Sequence, residues 1–298
     1  MPRLLPVDLP RALLIGLSVI TLVFLFVIMS TSTASFGTHN HAWDGTSSVR
    51  DQASDLNSNT VLATTTADYE RADPESSVAV ILSPDNPYTS GETDRLRSFV
   101  QSGGLLVVAD DFGSETNRLL EDIGAEARID GRPLRDEQRN YRSSALPIAT
   151  ETAAHPLTDG VTQLSLNHPS VVQPDGARVL VRSSPFAYLD ENRNGTLDDD
   201  ERLARYPVVT VETIDRGNVL VVSDPSVFIN AMVDRPDNSE FTRALLSSRD
   251  TVVFDQSHTG DLPPLTTMRV TVKRSQLLQA VVGFAGIAVV GLMRWRRN

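Results

Sequence analysis

The chain has 298 residues, of which 40% are hydrophobic and 22% charged, and these are the proportions of a folded globular protein. It contains no cysteine, which excludes disulfide bonds, thiolate metal sites and a cysteine nucleophile. The net charge is -11, and Lys273 is the single lysine among 27 basic residues. This acidic, lysine-poor composition indicates adaptation to high salt and argues against nucleic acid as a partner, because phosphate binding needs a basic face.

An apolar segment without charged residues covers residues 12–29 and follows Arg11. Its length lies in the range of about 17 to 25 residues that a transmembrane helix needs. Small residues at 32–34 leave open the alternative of a cleaved signal peptide. We expect residues 1–30 to form a cytoplasmic stub and a transmembrane helix, followed by a polar linker over residues 31–59.

A second apolar segment covers residues 277–293 and is followed by Arg294, Arg296 and Arg297. We therefore expect residues 275–298 to form a second transmembrane helix with a basic tail. Basic residues outside both spans predict, by the positive-inside rule, that both termini are cytoplasmic. On this reading the protein is a two-pass protein of the cell membrane, with an acidic extracytoplasmic domain at residues 60–274.

Residues 77–111 read as strand, helix and strand. Residues 78–82 and 105–109 are short apolar runs typical of buried strands. Between them, Thr89 and Glu92 have the capping-box spacing that begins a helix. Such a unit is a parallel crossover, so Asp110 and Asp111 are expected at the carboxyl end of a strand.

Further elements follow from the same signals. Residues 61–65, 178–182 and 251–254 are predicted strands, and residues 208–214 and 219–223 a hairpin; residues 48–56, 114–123, 226–233 and 239–247 are predicted helices. Five arginines punctuate residues 125–152 without a clean period, which favours a solvated face over an anion site. The predicted fold is a three-layer α/β domain with a mostly parallel sheet.

The segment from Asp190 to Glu201 fits the twelve-residue calcium loop. Oxygen-bearing side chains occupy the ligand positions, Gly195 stands where the loop turns sharply, and Leu197 is the apolar eighth residue. A solvated acidic turn is the alternative, because no EF-hand helices flank the segment. The predicted Ca²⁺ ligands are Asp190, Asn192, Asn194, Thr196, Asp198 and Glu201. Such a loop would stiffen an excursion between strands.

Several short motifs occur in one order along the chain: residues 43–46 (WDGT), 112–113 (FG), 155–157 (HPL), 223–226 (SDPS) and 255–260 (DQSHTG). With them, the chain resembles the domain-of-unknown-function 4350 (DUF4350) family. The resemblance implies a class I glutamine amidotransferase-like fold in a haloarchaeal-type membrane protein, often encoded near MoxR-type ATPases. Gln256 and Thr259 depart from the acid and further histidine that relatives tend to show. Amidotransferase chemistry is not implied, since its cysteine nucleophile is absent.

A ligand site is expected in the crevice at the carboxyl ends of the strands. Its predicted lining residues are Asp110, Asp111, Asp224, Asn230, Asp255 and His258. We expect a membrane-anchored, non-catalytic binding or assembly domain with an unknown protein partner, for which the resemblance suggests a MoxR-type ATPase system. The alternative is a hydrolase of an envelope polymer, with Asp255 and His258 beside Ser223 or Ser226 as nucleophile, although no G-x-S-x-G elbow is present.

Overall fold

The computed structural model describes residues 9–30, 32–56 and 58–259, together with residues 264, 267, 268, 271, 272, 275, 278 and 279. These belong to two compact units. One contains residues 33–260, and the other contains residues up to 32 and from 261 onwards. The predicted second transmembrane helix at residues 275–298 lies almost entirely outside the described residues.

Helix α1 (Leu9–Ser30) belongs to the terminal unit. It is 22 residues long, and its side chains from position 10 to position 26 are exposed. Within the described part of the chain, no helix is both long enough and apolar enough to span a membrane. The predictions of two transmembrane helices and of a two-pass membrane location are therefore wrong on this finding.

The larger unit contains four α-helices, four 3₁₀ helices and fourteen strands among its described residues. The α-helices are α2 (Ser47–Asp55), α3 (Ser90–Gln101), α4 (Ser114–Ile123) and α5 (Asn238–Leu246). The 3₁₀ helices are Thr66–Arg71, Pro74–Ser76, Pro156–Thr158 and Pro225–Phe228. The strands are β1 (Asn59–Ala63), β2 (Ser77–Leu82), β3 (Leu105–Ala109), β4 (Arg128–Ile129), β5 (Leu134–Asp136), β6 (Ile148–Ala149), β7 (Glu151–Thr152), β8 (Leu164–Ser165), β9 (Val172–Gln173), β10 (Arg178–Arg182), β11 (Ala187–Leu189), β12 (Pro207–Ile214), β13 (Gly217–Val222) and β14 (Thr251–Asp255).

Eight strands form one mixed sheet in the order β1-β14-β2-β3-β13-β12-β10-β7. The first five strands are parallel, and β12, β10 and β7 add to them in antiparallel fashion. Three two-stranded ribbons, β11-β5, β4-β9 and β6-β8, are also antiparallel. Over all described strands, six of the ten pairings are antiparallel, so the prediction of a mostly parallel sheet is wrong; within the eight-stranded sheet, four of the seven pairings are parallel. The tight hairpin at residues 214–217 reverses the chain and sets this change of direction.

Helices cover both faces of the parallel half of the sheet. On one face, Leu96 of α3 and Leu119 of α4 pack against β2, β3 and β13. On the other face, Ala53 of α2 and Phe241 of α5 pack against the opposite side chains of the same strands. The strands are buried on both sides, which explains why their sequences are continuous apolar runs without alternation.

Residues 33–56, expected from their polar composition to be a linker, are part of the larger compact unit. Thr38, Asn40 and Thr46 are buried, and α2 contributes Val49 and Ala53 to the core. Hydrogen bonds satisfy these buried polar side chains. The Thr46 hydroxyl donates to the Phe36 carbonyl at 2.9 Å, the Asn40 amide donates to the Ala34 carbonyl at 3.0 Å, and the Thr38 hydroxyl donates to the side-chain oxygen of Gln256 at 3.3 Å.

Candidate functional site

Four polar residues lie at the edge of the sheet where the parallel strands end. Three of them, Asp110, Asp224 and Asp255, were predicted for this site. Asp255 ends β14, Ser83 follows β2, Asp110 follows β3, and Asp224 follows β13 by two residues. Backbone hydrogen bonds fix this register, because the Ser83 N–H donates to the Ala109 carbonyl at 2.8 Å. Parallel strands end on the same side, so acids that follow separate strands become neighbours in space.

Asp110 is buried and serves the fold. One carboxylate oxygen accepts a hydrogen bond from the Thr116 hydroxyl at 2.5 Å, and the other accepts from the Asp111 N–H at 2.9 Å and the Ser83 hydroxyl at 3.3 Å. Ser83 has φ +40°, an unusual conformation for a residue with a side chain. Because Thr116 lies in the first turn of α4, Asp110 ties the end of β3 to the start of that helix.

Asp111 and Asp224 are acids of this edge whose pKa values are raised towards neutral pH. Burial, together with the negative charge of Asp110, raises the pKa of Asp111 to about 6. Burial raises the pKa of Asp224 to about 7, and the charge of Asp111 adds to this effect although hydrogen bonds from the Asn167 and Ser226 N–H groups oppose it. The charge of Asp111 therefore opposes ionisation of Asp224, and the charge of Asp110 opposes ionisation of Asp111.

Asp255 lies further along the same edge and is also buried. It accepts hydrogen bonds from the Tyr69 hydroxyl at 2.8 Å and from the Ser257 hydroxyl at 2.6 Å. Burial raises the pKa of Asp255, and these hydrogen bonds offset part of the rise. The Tyr69 pKa is raised by burial and by the neighbouring Asp255 carboxylate, so the phenol keeps its proton as a donor.

His258 is held by α3 and the loop before it. Its ring stacks on Tyr88 with centroids 3.8 Å apart, and its Nε2 lies 3.4 Å from a carboxylate oxygen of Glu92. Glu92 also accepts hydrogen bonds from the N–H and hydroxyl of Thr89, which confirms the predicted capping box. Burial opposes ionisation of Glu92, but the hydrogen bonds from Thr89 and the proximity of His258 lower its pKa overall.

Asn230 takes part in a different interaction. Its side-chain oxygen accepts from the Ser48 N–H at 2.9 Å, and its amide nitrogen donates to the carbonyls of Ala42 and Asn40 at 2.6 and 3.1 Å. All of these partners belong to the segment that contains the WDGT motif. The role that the structure gives Asn230 is to fasten this segment to the domain.

The residues named for hydrolysis are not connected as a triad. Among the described residues, no hydrogen bond joins His258 to Asp255, Ser223 or Ser226. The Ser223 hydroxyl is fully buried and has no hydrogen-bond partner. A nucleophile must reach both its base and a substrate, so this arrangement does not present one.

The calcium-type loop joins β11 to β12 and has its own hydrogen-bond network. The Asp190 carboxylate accepts from the Gly195 N–H at 3.0 Å, and the side-chain oxygens of Asn192 and Asn194 each accept from an N–H two residues later. Gly195 has φ +84°, which glycine adopts without strain. Glu201 accepts from the Glu191 and Asp198 N–H groups at 2.9 and 3.2 Å. The spacing predicted from the sequence thus closes the loop on itself.

One feature of the calcium-type loop favours cation binding, and another, the charge of a nearby arginine, opposes it. One oxygen of Asp190 is buried without a hydrogen-bond partner, so it is available to a ligand. The other oxygen lies 2.5 Å from Nε of Arg135, a positive charge that was not predicted. In the part of the chain that the structure describes, no three His, Cys, Asp or Glu side chains are grouped to hold a metal. Calcium would therefore also need amide, hydroxyl and backbone oxygens of Asn192, Asn194 and Thr196.

The loop reaches the strand-end site through Arg193. Its guanidinium lies 5.7 Å from the ring centroid of Phe112, within the range of a cation–π contact, and it donates to the Gly131 carbonyl at 3.1 Å. Phe112 follows Asp111 directly and is 43% exposed. The calcium-type loop and the FG motif at residues 112–113 are far apart in the sequence but adjacent in the structure. The sequence did not predict this contact, because neither motif carries information about the position of the other.

The fold and site define a mixed α/β domain whose acids gather at the carboxyl ends of its parallel strands. The family model described as "Domain of unknown function (DUF4350)" matches residues 38–246, and the chain belongs to this family. The match supports neither the predicted amidotransferase-like fold nor the haloarchaeal membrane type. The comparison with curated proteins gave no match.

Solved structures show only distant similarity. The mmIFT52 N-terminal domain is 13% identical, with 67% of this chain and 83% of that domain covered at a TM-score of 0.48. Exo-beta-1,4-mannosidase Op5Man5 from Opitutaceae bacterium strain TAV5 is 17% identical over 58% of this chain and 24% of its own, with a TM-score of 0.31. Cytoplasmic protein STM1381 from Salmonella typhimurium LT2 is 13% identical over 66% and 79%, also at 0.31. We transfer no property from these structures, because each TM-score is below 0.5.

Proposed function

We propose that the protein is a non-catalytic binding or assembly domain whose contact face combines the calcium-type loop with the turn after β3. The observation that supports this is the contact between Arg193 and the exposed ring of Phe112. Aromatic side chains and arginine are the residue types enriched in protein interfaces. Leu197 and Leu203, in and just after the loop, are also exposed.

Binding is favoured over catalysis by how the strand-end residues are used. Asp110, Asp255 and His258 each hold neighbouring elements through hydrogen bonds or ring stacking. In these contacts the side chains serve to hold the fold together. Asp111 is the acid that is only partly buried, and it lies beside Phe112, so we assign it to the contact face.

We propose further that Ca²⁺ is a structural ligand of the loop. Asp190, Asn192, Asn194, Thr196, Asp198 and Glu201 would hold it. A bound Ca²⁺ would supply positive charge that fixes the loop, and with it the position of Arg193. The buried, unpartnered oxygen of Asp190 supports this assignment.

A calorimetric titration of the full chain with Ca²⁺ tests the ion. Wild type and the D199N/D200N variant, which removes two charges from loop positions that do not bind calcium, should take up one equivalent. The D190A/E201A variant should take up none. Equal binding by all three proteins, or none by wild type at millimolar Ca²⁺, would refute the assignment.

The family resemblance suggests a MoxR-type ATPase as the partner, so the binding test uses that purified ATPase from the same source. We expect F112A to weaken the interaction at least tenfold, because interface aromatics often contribute 2 kcal/mol or more. W43A, which removes another exposed aromatic side chain, and D255N/H258Q should both retain binding. Loss of binding with W43A but not F112A would place the contact face elsewhere, and turnover of a substrate that D255N/H258Q abolishes would establish an enzyme.

A further inference from the structure

A cavity of about 640 Å³ lies at the opposite edge of the sheet, where β3 and β13 begin. Leu105 and Asn218 line it from these strands, and the end of α5 together with the turn at Pro156–Thr158 closes it. This volume is within the range of small-molecule sites, about 300 to 1,000 Å³. None of the residues predicted for the strand-end site or the calcium-type loop contributes to its lining.

Two arginines of this cavity have no acidic partner. Arg243 lies on α5 and Arg249 follows it, and across residues 9–30, 32–56 and 58–259 neither forms an ion pair. Arg249 Nε is also buried and lacks a hydrogen-bond acceptor. Another nitrogen of the same guanidinium donates to the Ser248 carbonyl at 2.9 Å. The buried Nε is left without an acceptor, and a buried donor in that state is costly.

The other polar groups of the lining also offer hydrogen-bond donors. Nδ1 of His155 accepts from the Leu157 N–H at 3.2 Å, which places the ring proton of the neutral imidazole on Nε2. The side-chain oxygen of Asn218 accepts from the Thr213 hydroxyl at 2.9 Å, so its NH₂ group remains available. Burial and the charge of Arg178 lower the pKa of His155, so the ring acts as a neutral donor at physiological pH.

Two acids also line the cavity and limit which ligand can bind. The Glu240 carboxylate already accepts from the Ser239 hydroxyl at 2.7 Å. Asp159 and Arg243 are both exposed, and solvent screens the charge of each. With two arginines and two acids the lining is close to neutral overall. Attraction of an anion therefore depends on the directed N–H groups, which suit the lone pairs of an oxyanion.

We propose that this cavity binds a small organic molecule through a carboxylate or phosphate group. Arg243 and Arg249 contact the oxyanion, with donors from His155 and Asn218 beside it, and the remaining volume accommodates the body of the ligand. The site is separate from the proposed contact face, so the failure of either proposal leaves the other standing.

The test is calorimetry of the full chain in low-salt buffer with two probes, inorganic phosphate and succinate, each to 10 mM. We expect saturable binding of at least one probe, and their relative affinities distinguish a phosphate site from a carboxylate site. R249Q should weaken binding at least tenfold, because it removes a charge-assisted hydrogen bond to the oxyanion. R118Q removes an exposed helical arginine outside the cavity and should bind as wild type does.

A second measurement, made on the wild-type protein, keeps the test valid if R249Q does not fold. Amide chemical shifts of the wild-type protein, followed during the same titration, should change at Gly160, Asn218 and Arg249 and stay constant at Asp111 and Phe112. Absence of saturable binding by either probe, equal weakening by R118Q, or shift changes confined to other regions would each overturn the proposal.

Discussion

Asp111 connects two features of the strand-end site, because it lies beside buried Asp224 and directly precedes exposed Phe112. Its folded-state pKa of about 6 is raised above its ordinary value, so the folded state holds this proton more tightly than the unfolded chain. By linkage, the associated stability is fully present below about pH 4 and is lost as the pH rises through about 6.

D111N should therefore flatten the fall in stability between about pH 4 and 6. It should also lower the pKa of Asp224, whose rise to about 7 includes the charge of Asp111. Urea denaturation across this pH range measures the first effect, and carboxyl carbon chemical shifts measure the second. The idea fails if D111N keeps the wild-type pH profile. D94N, on exposed α3 surface, is the matched control.

The Arg135 guanidinium would compete with Ca²⁺ for Asp190, because it contacts one oxygen of this buried carboxylate. R135Q should lower the melting temperature without Ca²⁺, because an unpaired buried carboxylate is destabilising. Millimolar Ca²⁺ should restore much of that loss, so the stabilisation by calcium should be larger in R135Q than in wild type. Equal calcium stabilisation of the two proteins, measured by calorimetric melting, would contradict this account.

At the scale of elements, Gly113 sets how closely the turn after β3 approaches Asp110. A Cβ atom at this position would lie 2.1 Å from a carboxylate oxygen of Asp110. G113A should therefore disrupt the hydrogen bond that the Thr116 hydroxyl donates to Asp110 and destabilise the domain by about 1–3 kcal/mol. G91A, where the added Cβ meets no atom within 4 Å on helix α3, should be neutral or stabilising by up to about 1 kcal/mol. Chemical denaturation of both variants measures the difference.

Asn230 joins the N-terminal segment to the domain by hydrogen bonds to Ala42, Asn40 and Ser48. N230A leaves these backbone groups without their partner, and we expect a loss of about 2 kcal/mol or more. Proteolysis should then cut first within residues 33–56. Q101A, which truncates an exposed amide on α3, should leave both stability and cleavage unchanged. A protease-resistant N230A would show that α2 packing holds the segment without this residue.

The elements that could be predicted are those with strong local signals. Strands β3 and β10 and helix α4 have the predicted bounds, because apolar runs and glycine ends define them within the chain itself. The strands of two or three residues between positions 128 and 152 have no period to detect. The antiparallel addition of β10 and β7 was also missed, because contacts with distant residues decide which strands pair.

The strand-end site could be predicted only where the order of strands places its residues. Asp110, Asp224 and Asp255 follow separate strands, so parallel topology alone brings them to one edge. Tyr88, Glu92 and Tyr69 were not predicted as neighbours of Asp255 and His258. They lie in a loop, in helix α3 and in a 3₁₀ helix, and no local pattern encodes how these elements pack near the end of β14. The placement of Asn230 was unexpected for a similar reason, since its partners lie more than 180 residues away.

For the whole molecule, the net charge of -11 makes self-repulsion a term in stability. Salt screens such repulsion, since the Debye length falls from about 10 Å at 0.1 M to about 3 Å at 1 M. We expect the melting temperature at pH 7 to rise by about 5 °C or more between 0.1 and 2 M NaCl. Near the sequence pI of 4.9 the rise should be much smaller. If the melting temperature rises equally with NaCl concentration at both pH values, the effect is general salting-out and not the screening of charge repulsion.

Strand β14 lies between β1 and β2, although it comes after β13 in the chain. Its five residues pair with both neighbours over their full length. During synthesis on the ribosome, β1 and β2 consequently emerge long before the strand that joins them, and their facing backbone groups stay unpaired until residue 255 has been made. The nascent chain thus carries two open strand edges through most of translation, and open edges favour aggregation until the last strand inserts.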